Sequence, residues 1–168
     1  MGTGTGGIAV SLRKNIPDST VWACDISPAC LETTRQNALL NNVKITVVKF
    51  DILKPEAGTD FPAFDVIVSN PPYVRLSEKT RMQKNVLDYE PGLALFVEDG
   101  DPLLFYRHIA EFAQIHLTSG GRLYFEINEA FGDECSEMLQ GKGFSEIRLK
   151  KDLQQKHRML SAKWEHPG

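Results

Sequence analysis

Short runs rich in β-branched and aromatic residues alternate along this chain with longer runs of helical periodicity. The strand-like runs cover residues 21–24, 45–50, 64–69, 122–127, 144–150 and 159–164. Strands that alternate with helices predict an α/β fold with a mostly parallel sheet. No helix separates the last two runs, so the sequence predicts that the sheet ends in an antiparallel C-terminal hairpin.

Two of the predicted helices begin with a capping residue followed by proline. Ser27-Pro28 and Asp101-Pro102 each predict an N-cap with proline at the first helical position. The spacing of apolar residues predicts that these helices run to about residue 41 and about residue 117. The residues expected to face inward on the first of them are Leu31, Ala38 and Leu39.

The remaining helices and strands are assigned from the residues that interrupt regular structure between them. Residues 8–15 and 129–142 indicate two further helices, and Ser119-Gly120-Gly121 is expected to separate a helix from the strand after it. Residues 74–100 show no regular pattern. Loops of this length inside a compact domain are uncommon and are often functional.

Bulk properties narrow the classes of function. The net charge of -3 argues against strong non-specific binding to the backbone of nucleic acids. No apolar run approaches the roughly 20 residues of a membrane helix, and no secretory signal is recognisable. Cys24, Cys30 and Cys135 match no zinc motif. We therefore expect reduced thiols, no metal site and a cytoplasmic protein.

A glycine-rich segment, Gly2-Thr3-Gly4-Thr5-Gly6-Gly7, leads into the 8–15 helix. Glycines there permit a tight turn and close approach of a ligand to the helix amides. Asp25 ends the next strand about twenty residues on, where nucleotide-binding α/β folds place an acid on the ribose. Asp51 ends the following strand and could accept a hydrogen bond from an adenine amino group. A plain turn with two capping carboxylates is the alternative interpretation.

Such a loop normally follows a strand, whereas Met1 directly precedes Gly2 here. In a doubly wound sheet the strand before the loop is central. We therefore expect the first strand to be absent from this sequence, which would make residues 1–168 a catalytic fragment of a longer protein.

Asn70-Pro71-Pro72-Tyr73 is the most specific motif in the chain. Two prolines cannot extend a central strand, so they stiffen the backbone at the strand end where α/β folds bind ligands. The Asn70 side chain and the Pro71 carbonyl offer two hydrogen-bond acceptors, and Tyr73 offers an aromatic face. This set suits a planar NH2 group that must be held for methylation. A rigid proline turn is the alternative.

Together these motifs, with Tyr89-Glu90-Pro91, Gly120-Gly121 and Glu126, resemble the protein-(glutamine-N5) methyltransferases that modify peptide chain release factors. The resemblance covers nearly the whole chain. It implies a Rossmann-like class I methyltransferase fold, methyl transfer from S-adenosylmethionine with S-adenosylhomocysteine as product, and the glutamine of a Gly-Gly-Gln motif as acceptor. It also implies an upstream acidic residue and an N-terminal helical substrate-binding domain, both absent from this sequence.

The resemblance implies a role for each matching residue. Asn70, Pro71 and Tyr73 would be catalytic, and with Pro72 and Glu90 they would bind the substrate glutamine. The residues implied to bind the cofactor are Gly2, Thr3, Gly4, Gly6, Asp25, Ile26, Asp51, Ile52 and Asn70.

Two other functions stay open at this point. The four-residue motif also occurs in amino-methyltransferases that act on N6 of adenine or N2 of guanine in nucleic acids, although the acidic setting favours a protein substrate. The third hypothesis is a fragment that folds but binds cofactor poorly. Release factor is the expected partner, contact with nucleic acid is expected only indirectly, and the sequence leaves the oligomeric state open.

Overall fold

A computed structural model of the protein describes residues 1–55, 60–72, 74–75, 96–97 and 100–166. By contacts within the chain it divides into two compact units, Met1–Thr59 and Asp60–Gly168. Each unit is described by itself.

The first unit is one strand–helix–strand repeat preceded by a helix. Its elements are α1 (Gly7–Asn15), β1 (Trp22–Asp25), α2 (Pro28–Leu40) and β2 (Thr46–Lys49). The two strands pair in parallel, with Asp25 in register with Lys49. All four elements were predicted from the sequence, each within two residues of its observed ends. The pairing of β1 with β2 confirms the predicted parallel arrangement in this unit.

Helix α2 begins as predicted but packs a different face inward. The Ser27 hydroxyl accepts the Cys30 amide at 3.4 Å, and Pro28 is the first helical residue. Leu31 and Ala38 are buried as expected, whereas Leu39 is 77 % exposed, so that prediction is wrong. Each helical residue turns the side chain by about 100°, so Leu39 points away from the face that contains Ala38. The third buried position of that face is Thr34.

The second unit contains a four-stranded sheet and two helices. Its elements are β3 (Phe64–Ser69), β4 (Val74–Arg75), β5 (Phe96–Val97), α3 (Leu104–His116), β6 (Leu117–Glu126), a 3-10 turn (Glu129–Phe131), α4 (Gly132–Gly141), β7 (Ser145–Lys151) and β8 (His157–Lys163). The strand order is β3-β6-β8-β7. β3 and β6 are parallel, and β8 is antiparallel to both β6 and β7. The predicted fold class, with its C-terminal hairpin, is confirmed.

The segment predicted to be irregular over residues 74–100 contains a short parallel pair. β4 and β5 match Val74 with Phe96 and Arg75 with Val97. Most of the intervening residues lie outside the described part of the chain, so the prediction is corrected only at these four positions.

The start of α3 corrects the second N-cap prediction. The helix begins at Leu104 with Leu103 at the N-cap position and without a side-chain cap. Asp101 instead forms an ion pair with Arg107. The hydrogen bond from that guanidinium is the main reason why the pKa of Asp101 is lower than usual. The Asp101 carboxylate thus binds the charged Arg107 side chain, one turn into the helix, and does not cap the helix.

The two glycines after α3 lie inside a strand. β6 already begins at Leu117, and Gly120 has a φ of 83°. A Cβ on Gly121 would lie 2.8 Å from the Thr118 carbonyl oxygen. The register with β3 shifts between Phe64 and Val66. The glycine pair therefore permits a bulge inside the strand. It does not separate the helix from the strand, as the sequence had predicted, because a bulge and a helix end favour the same residue type.

Sheet and helices of the second unit enclose one apolar core. Its largest fully buried side chains are those of Tyr106, Ile109, Leu117, Leu123, Ile127, Cys135, Leu139 and Leu160. Trp164 is also buried, while Trp22 in the first unit is only half-buried. Burial of this apolar surface, at about 25 cal/mol per Å², is the main source of stability for such a unit.

The cysteines are free thiols in different environments. Cys24 and Cys135 are buried, and Cys30 is half-buried. Burial raises the pKa of Cys24, and it raises the pKa of Cys135 to about 12. Within the described ranges, no group of His, Cys, Asp and Glu is arranged to hold a metal ion. Across the same residues, each helix is too short or too polar to span a bilayer.

Candidate active site

The glycine loop precedes α1 and is held by backbone hydrogen bonds, both within the loop and to β1. Gly2, Gly4 and Gly6 all have positive φ, at 63°, 53° and 82°. The Thr3 amide donates to the Cys24 carbonyl of β1 at 3.0 Å, and the Gly6 amide donates to the Thr3 carbonyl at 2.8 Å. These left-handed positions explain the glycine repeat, because other residues adopt them only at a cost of about 1–2 kcal/mol each.

Asp25 links the glycine loop to the start of α2. Its Oδ2 accepts the Gly4 amide at 3.0 Å, and its Oδ1 accepts the Ser27 amide at 2.9 Å. The carboxylate is half-buried at the carboxyl end of β1. Each oxygen keeps a second lone pair, so the same group can still accept a hydroxyl of a ligand.

The glycines at positions 4 and 6 have different surroundings. A Cβ on Gly6 would lie 2.8 Å from the Thr34 methyl carbon and 2.9 Å from its hydroxyl oxygen, whereas a Cβ on Gly4 would meet no described atom within 4 Å. Gly6 is therefore required for packing against α2. Gly4 borders open space, which fits a loop that a nucleotide-type ligand approaches closely.

The other predicted cofactor residues lie at the ends of β1 and β2. Asp51 follows β2, and its Oδ1 accepts the Leu53 amide at 2.9 Å. Ile26 follows Asp25 and is 54 % exposed, and Ile52 is half-buried. Two carboxylates and two aliphatic side chains thus occur at the carboxyl ends of adjacent parallel strands. This set of hydrogen-bond acceptors and apolar side chains fits an adenosine group.

Two residues of α2 that the sequence analysis missed hold the loop. The Thr34 hydroxyl donates to the Gly4 carbonyl at 3.2 Å, and the Asn37 side-chain amide donates to the Thr5 carbonyl at 2.8 Å. Thr34 is fully buried. A polar residue on the inward face between Leu31 and Ala38 was the signal that could have identified it.

In the second unit, the proline motif begins where β3 ends. Ser69 is the last strand residue and is buried, Asn70 is exposed, Pro71 is buried and Pro72 is half-buried. No described residue forms a hydrogen bond with the Asn70 side chain, so its amide is available to a ligand. The buried Pro71 fixes the backbone that carries it.

Glu126 ends the parallel strand next to β3. Ser69 is in register with Phe125, so Asn70 and Glu126 are the next residues along the two strands. The buried Tyr106 of α3 donates to the Glu126 carbonyl at 3.3 Å and packs edge-on against Phe125, with ring centroids 5.2 Å apart. The position of the β6 end is therefore set by the core.

Tyr73 and Glu90, with the Tyr89-Glu90-Pro91 motif, lie outside the described residues. Their predicted roles remain predictions. The described candidate cofactor residues thus belong to the first unit, and the described candidate acceptor residues, Asn70-Pro71-Pro72, belong to the second.

Solved structures share this fold. A methyltransferase from Pyrococcus furiosus matches with a TM-score of 0.71 at 22% identity, covering 98% of this chain and 72% of that one. A ribosomal protein L11 methylase from Lactobacillus delbrueckii subsp. bulgaricus matches with a TM-score of 0.67 at 22% identity, covering 98% and 67%. The chain therefore has the α/β fold of class I methyltransferases.

The sequence comparisons specify the family. The profile of the methyltransferase small domain matches residues 1–89, which is more than half of the chain, and the protein belongs to that family. A release factor glutamine methyltransferase of Flavobacterium psychrophilum is 51% identical over 160 residues, covering 95% of this chain and 55% of the relative. One of Bacteroides thetaiotaomicron is 47% identical over 162 residues, covering 96% and 58%. The chain thus spans little more than half the length of these relatives, and the resemblance predicted from the sequence is confirmed.

Proposed function

We propose that this chain is the catalytic domain of an S-adenosylmethionine-dependent methyltransferase that methylates the side-chain amide of the glutamine in the Gly-Gly-Gln motif of peptide chain release factors. The observation that carries the proposal is the exposed Asn70 on a proline-stiffened backbone at the carboxyl end of β3. The names of the relatives, release factor glutamine methyltransferase, support the choice of substrate.

The first unit would hold the cofactor. Asp25 would accept the ribose hydroxyls, and Asp51 would accept the adenine amino group between the aliphatic side chains of Ile26 and Ile52. The glycine loop, from Gly2 through Thr3 and Gly4 to Gly6, would border the methionine part. The bound cofactor supplies an electrophilic methyl group on a sulfonium and leaves as S-adenosylhomocysteine.

Asn70 and Pro71 would activate the acceptor nitrogen by position. An amide nitrogen is a weak nucleophile because its lone pair is delocalised into the carbonyl. The Asn70 side-chain oxygen and the Pro71 carbonyl would accept hydrogen bonds from the two N–H groups of the glutamine amide. These bonds would orient the nitrogen and favour its change toward tetrahedral geometry. The methylated nitrogen is strongly acidic, so its extra proton passes to water without a dedicated base.

The remaining motif residues would shape the substrate pocket. Pro72 would keep the backbone rigid, and Tyr73 would stack on the planar amide and exclude water. Glu90 would contact the substrate from the segment after β4. These roles derive from the family resemblance, and the test below does not depend on them.

The test is methyl transfer by the full-length protein. It is incubated with labelled S-adenosylmethionine and a release factor, with a release factor whose Gly-Gly-Gln glutamine is replaced by alanine as control. We expect label on the wild-type factor only, on the peptide that contains that glutamine. Absence of label from the release factor would refute the proposal, and label on DNA or RNA offered in parallel would establish the nucleic-acid alternative instead.

A further inference from the structure

The carbonyls of two consecutive loop residues are held from the same helix. Thr34 donates to the Gly4 carbonyl at 3.2 Å and Asn37 donates to the Thr5 carbonyl at 2.8 Å. The two side chains are three residues apart on α2, so they lie on one face of the helix. We call Thr34 and Asn37 the anchor pair.

The anchor pair also sets the steric position of the loop. The space where a Gly6 Cβ would lie is occupied by the Thr34 side chain, at 2.8 Å and 2.9 Å. Thr34 therefore touches the loop on both sides of Thr5, once through its hydroxyl and once through its methyl. Because Thr34 is fully buried, neither contact can be replaced by water without opening the packing.

These contacts fix the orientation of the Gly4–Thr5 peptide. In a trans peptide the N–H points opposite to the C=O. Since the Gly4 carbonyl points toward Thr34, the Thr5 N–H points away from α2. In the part of the chain that the structure describes, no acceptor pairs with this N–H, and the space at Gly4 is open.

We propose that Thr34 and Asn37 are positioning residues for the methyl donor, because they hold the Gly4–Thr5 peptide with its N–H and its open side presented to the cofactor. This inference rests on the function proposed above, since it assumes that the glycine loop binds S-adenosylmethionine. Neither residue touches the reacting atoms in this assignment. Their effect is on cofactor affinity, through the preformed conformation of the loop.

The test is titration of the full-length protein with S-adenosylhomocysteine by calorimetry. Thr34→Val keeps the shape of the side chain and removes its hydrogen bond. Asn37→Asp replaces the donor with an oxygen that repels the Thr5 carbonyl. Loss of one such bond is expected to raise the Kd about fivefold for Thr34→Val and about tenfold for Asn37→Asp.

The chain offers a matched control for each variant. The Thr33 hydroxyl bonds to the Ala29 carbonyl of its own helix at 3.0 Å, so Thr33→Val is the control for Thr34→Val. The Asn15 amide bonds to the Ser11 carbonyl of α1 at 2.8 Å, so Asn15→Asp is the control for Asn37→Asp. Both controls should leave the Kd unchanged. Thr34→Ser retains the hydroxyl and should bind more tightly than Thr34→Val.

A purely structural role would give a different pattern. It would lower the amount of folded protein and leave the Kd of the folded fraction unchanged, whereas positioning raises the Kd and the KM for the methyl donor without changing the KM for the release factor. A Kd for Thr34→Val and Asn37→Asp equal to that of wild type would overturn the inference. If wild-type protein binds S-adenosylhomocysteine but does not methylate release factor, only the proposed substrate is wrong. If it does not bind at all, both proposals are wrong.

Discussion

At the residue scale, the two acceptors after β3 have different accessibility, and this difference makes Asn70 the one to mutate. Asn70 is exposed and Pro71 is buried. Asn70→Ala should reduce kcat for release factor methylation at least about 100-fold, the typical effect of removing one oriented hydrogen-bonding group from an active site. The affinity for S-adenosylhomocysteine should change far less. Asn15→Ala, in an exposed position on α1, is the control, and an active Asn70→Ala enzyme would contradict the assigned role.

The glycines at positions 4 and 6 allow steric contact to be separated from backbone strain. Both have positive φ, so alanine at either position costs about 1–2 kcal/mol in backbone energy. Gly6→Ala should cost about 1–3 kcal/mol more because its Cβ would overlap Thr34. Gly4→Ala should instead weaken S-adenosylhomocysteine binding by filling the open space. Urea unfolding and calorimetry measure the two effects, and equal loss of stability in both variants would contradict this distinction.

His116 makes stability depend on pH. It packs against the rings of Phe112 and Phe61, at centroid distances of 4.3 Å and 5.8 Å, and partial burial lowers its pKa. The unfolded chain therefore binds a proton at His116 at a higher pH than the folded chain does. The contribution of His116 to stability is complete above the unfolded pKa of about 6.5 and is lost as the pH falls below it.

Urea unfolding at about pH 7.5 and about pH 5.5 checks this effect. Wild type should be less stable at the lower pH, and His116→Phe, which keeps an aromatic ring and removes the titration, should narrow the difference. The same difference in both proteins would show that other groups cause it.

At the element scale, a part-buried hydrogen bond connects α3 with the carboxyl end of β6. Tyr106→Phe removes the bond to the Glu126 carbonyl and leaves the ring packed edge-on against Phe125. It should lower the free energy of unfolding by about 1 kcal/mol, since the half-buried Glu126 carbonyl loses the hydrogen bond from the tyrosine hydroxyl. Tyr124→Phe, at an exposed position of β6, is the matched control. Equal stability of the two variants would show that the bond is not significant.

Elements were predictable from the sequence where one local signal decided the outcome. Ser27-Pro28 fixed the start of α2 because the cap and the proline act on the same turn. Asp101-Pro102 has the same pattern, but Arg107 competes for the carboxylate. Gly120-Gly121 indicated a break, whereas its neighbours in the sheet make it a bulge. In both of these wrong predictions, a residue outside the local sequence pattern determines the structure. The pattern alone therefore cannot predict it.

At the scale of the whole molecule, the alternation of strands and helices was sufficient for the fold class. The spacing of apolar residues determines which segments form helices and which form strands. Parallel pairing follows where a helix connects two strands. The positions of the candidate site residues were predictable only in part, and their roles remain predictions. Asp25, Asp51 and Asn70 lie at strand ends and could be found from the sequence, whereas Thr34 and Asn37 bond to loop residues that are 30 and 32 positions away. Contacts of that separation exist only after α2 has packed.

The uneven environments of the three thiols have a practical consequence for measuring ligand binding. Cys24 and Cys135 are buried and their pKa values are raised, so neither presents thiolate near neutral pH, while Cys30 is half-buried in the first turn of α2. Maleimide should add one label per native molecule and three after denaturation, and Cys30→Ser should abolish the native label, as mass spectrometry would show. A second native label would contradict this. A fluorophore at Cys30 would lie three residues from Ser27, whose amide bonds to Asp25, so the wild-type sequence already contains an attachment point for an optical sensor of the proposed cofactor.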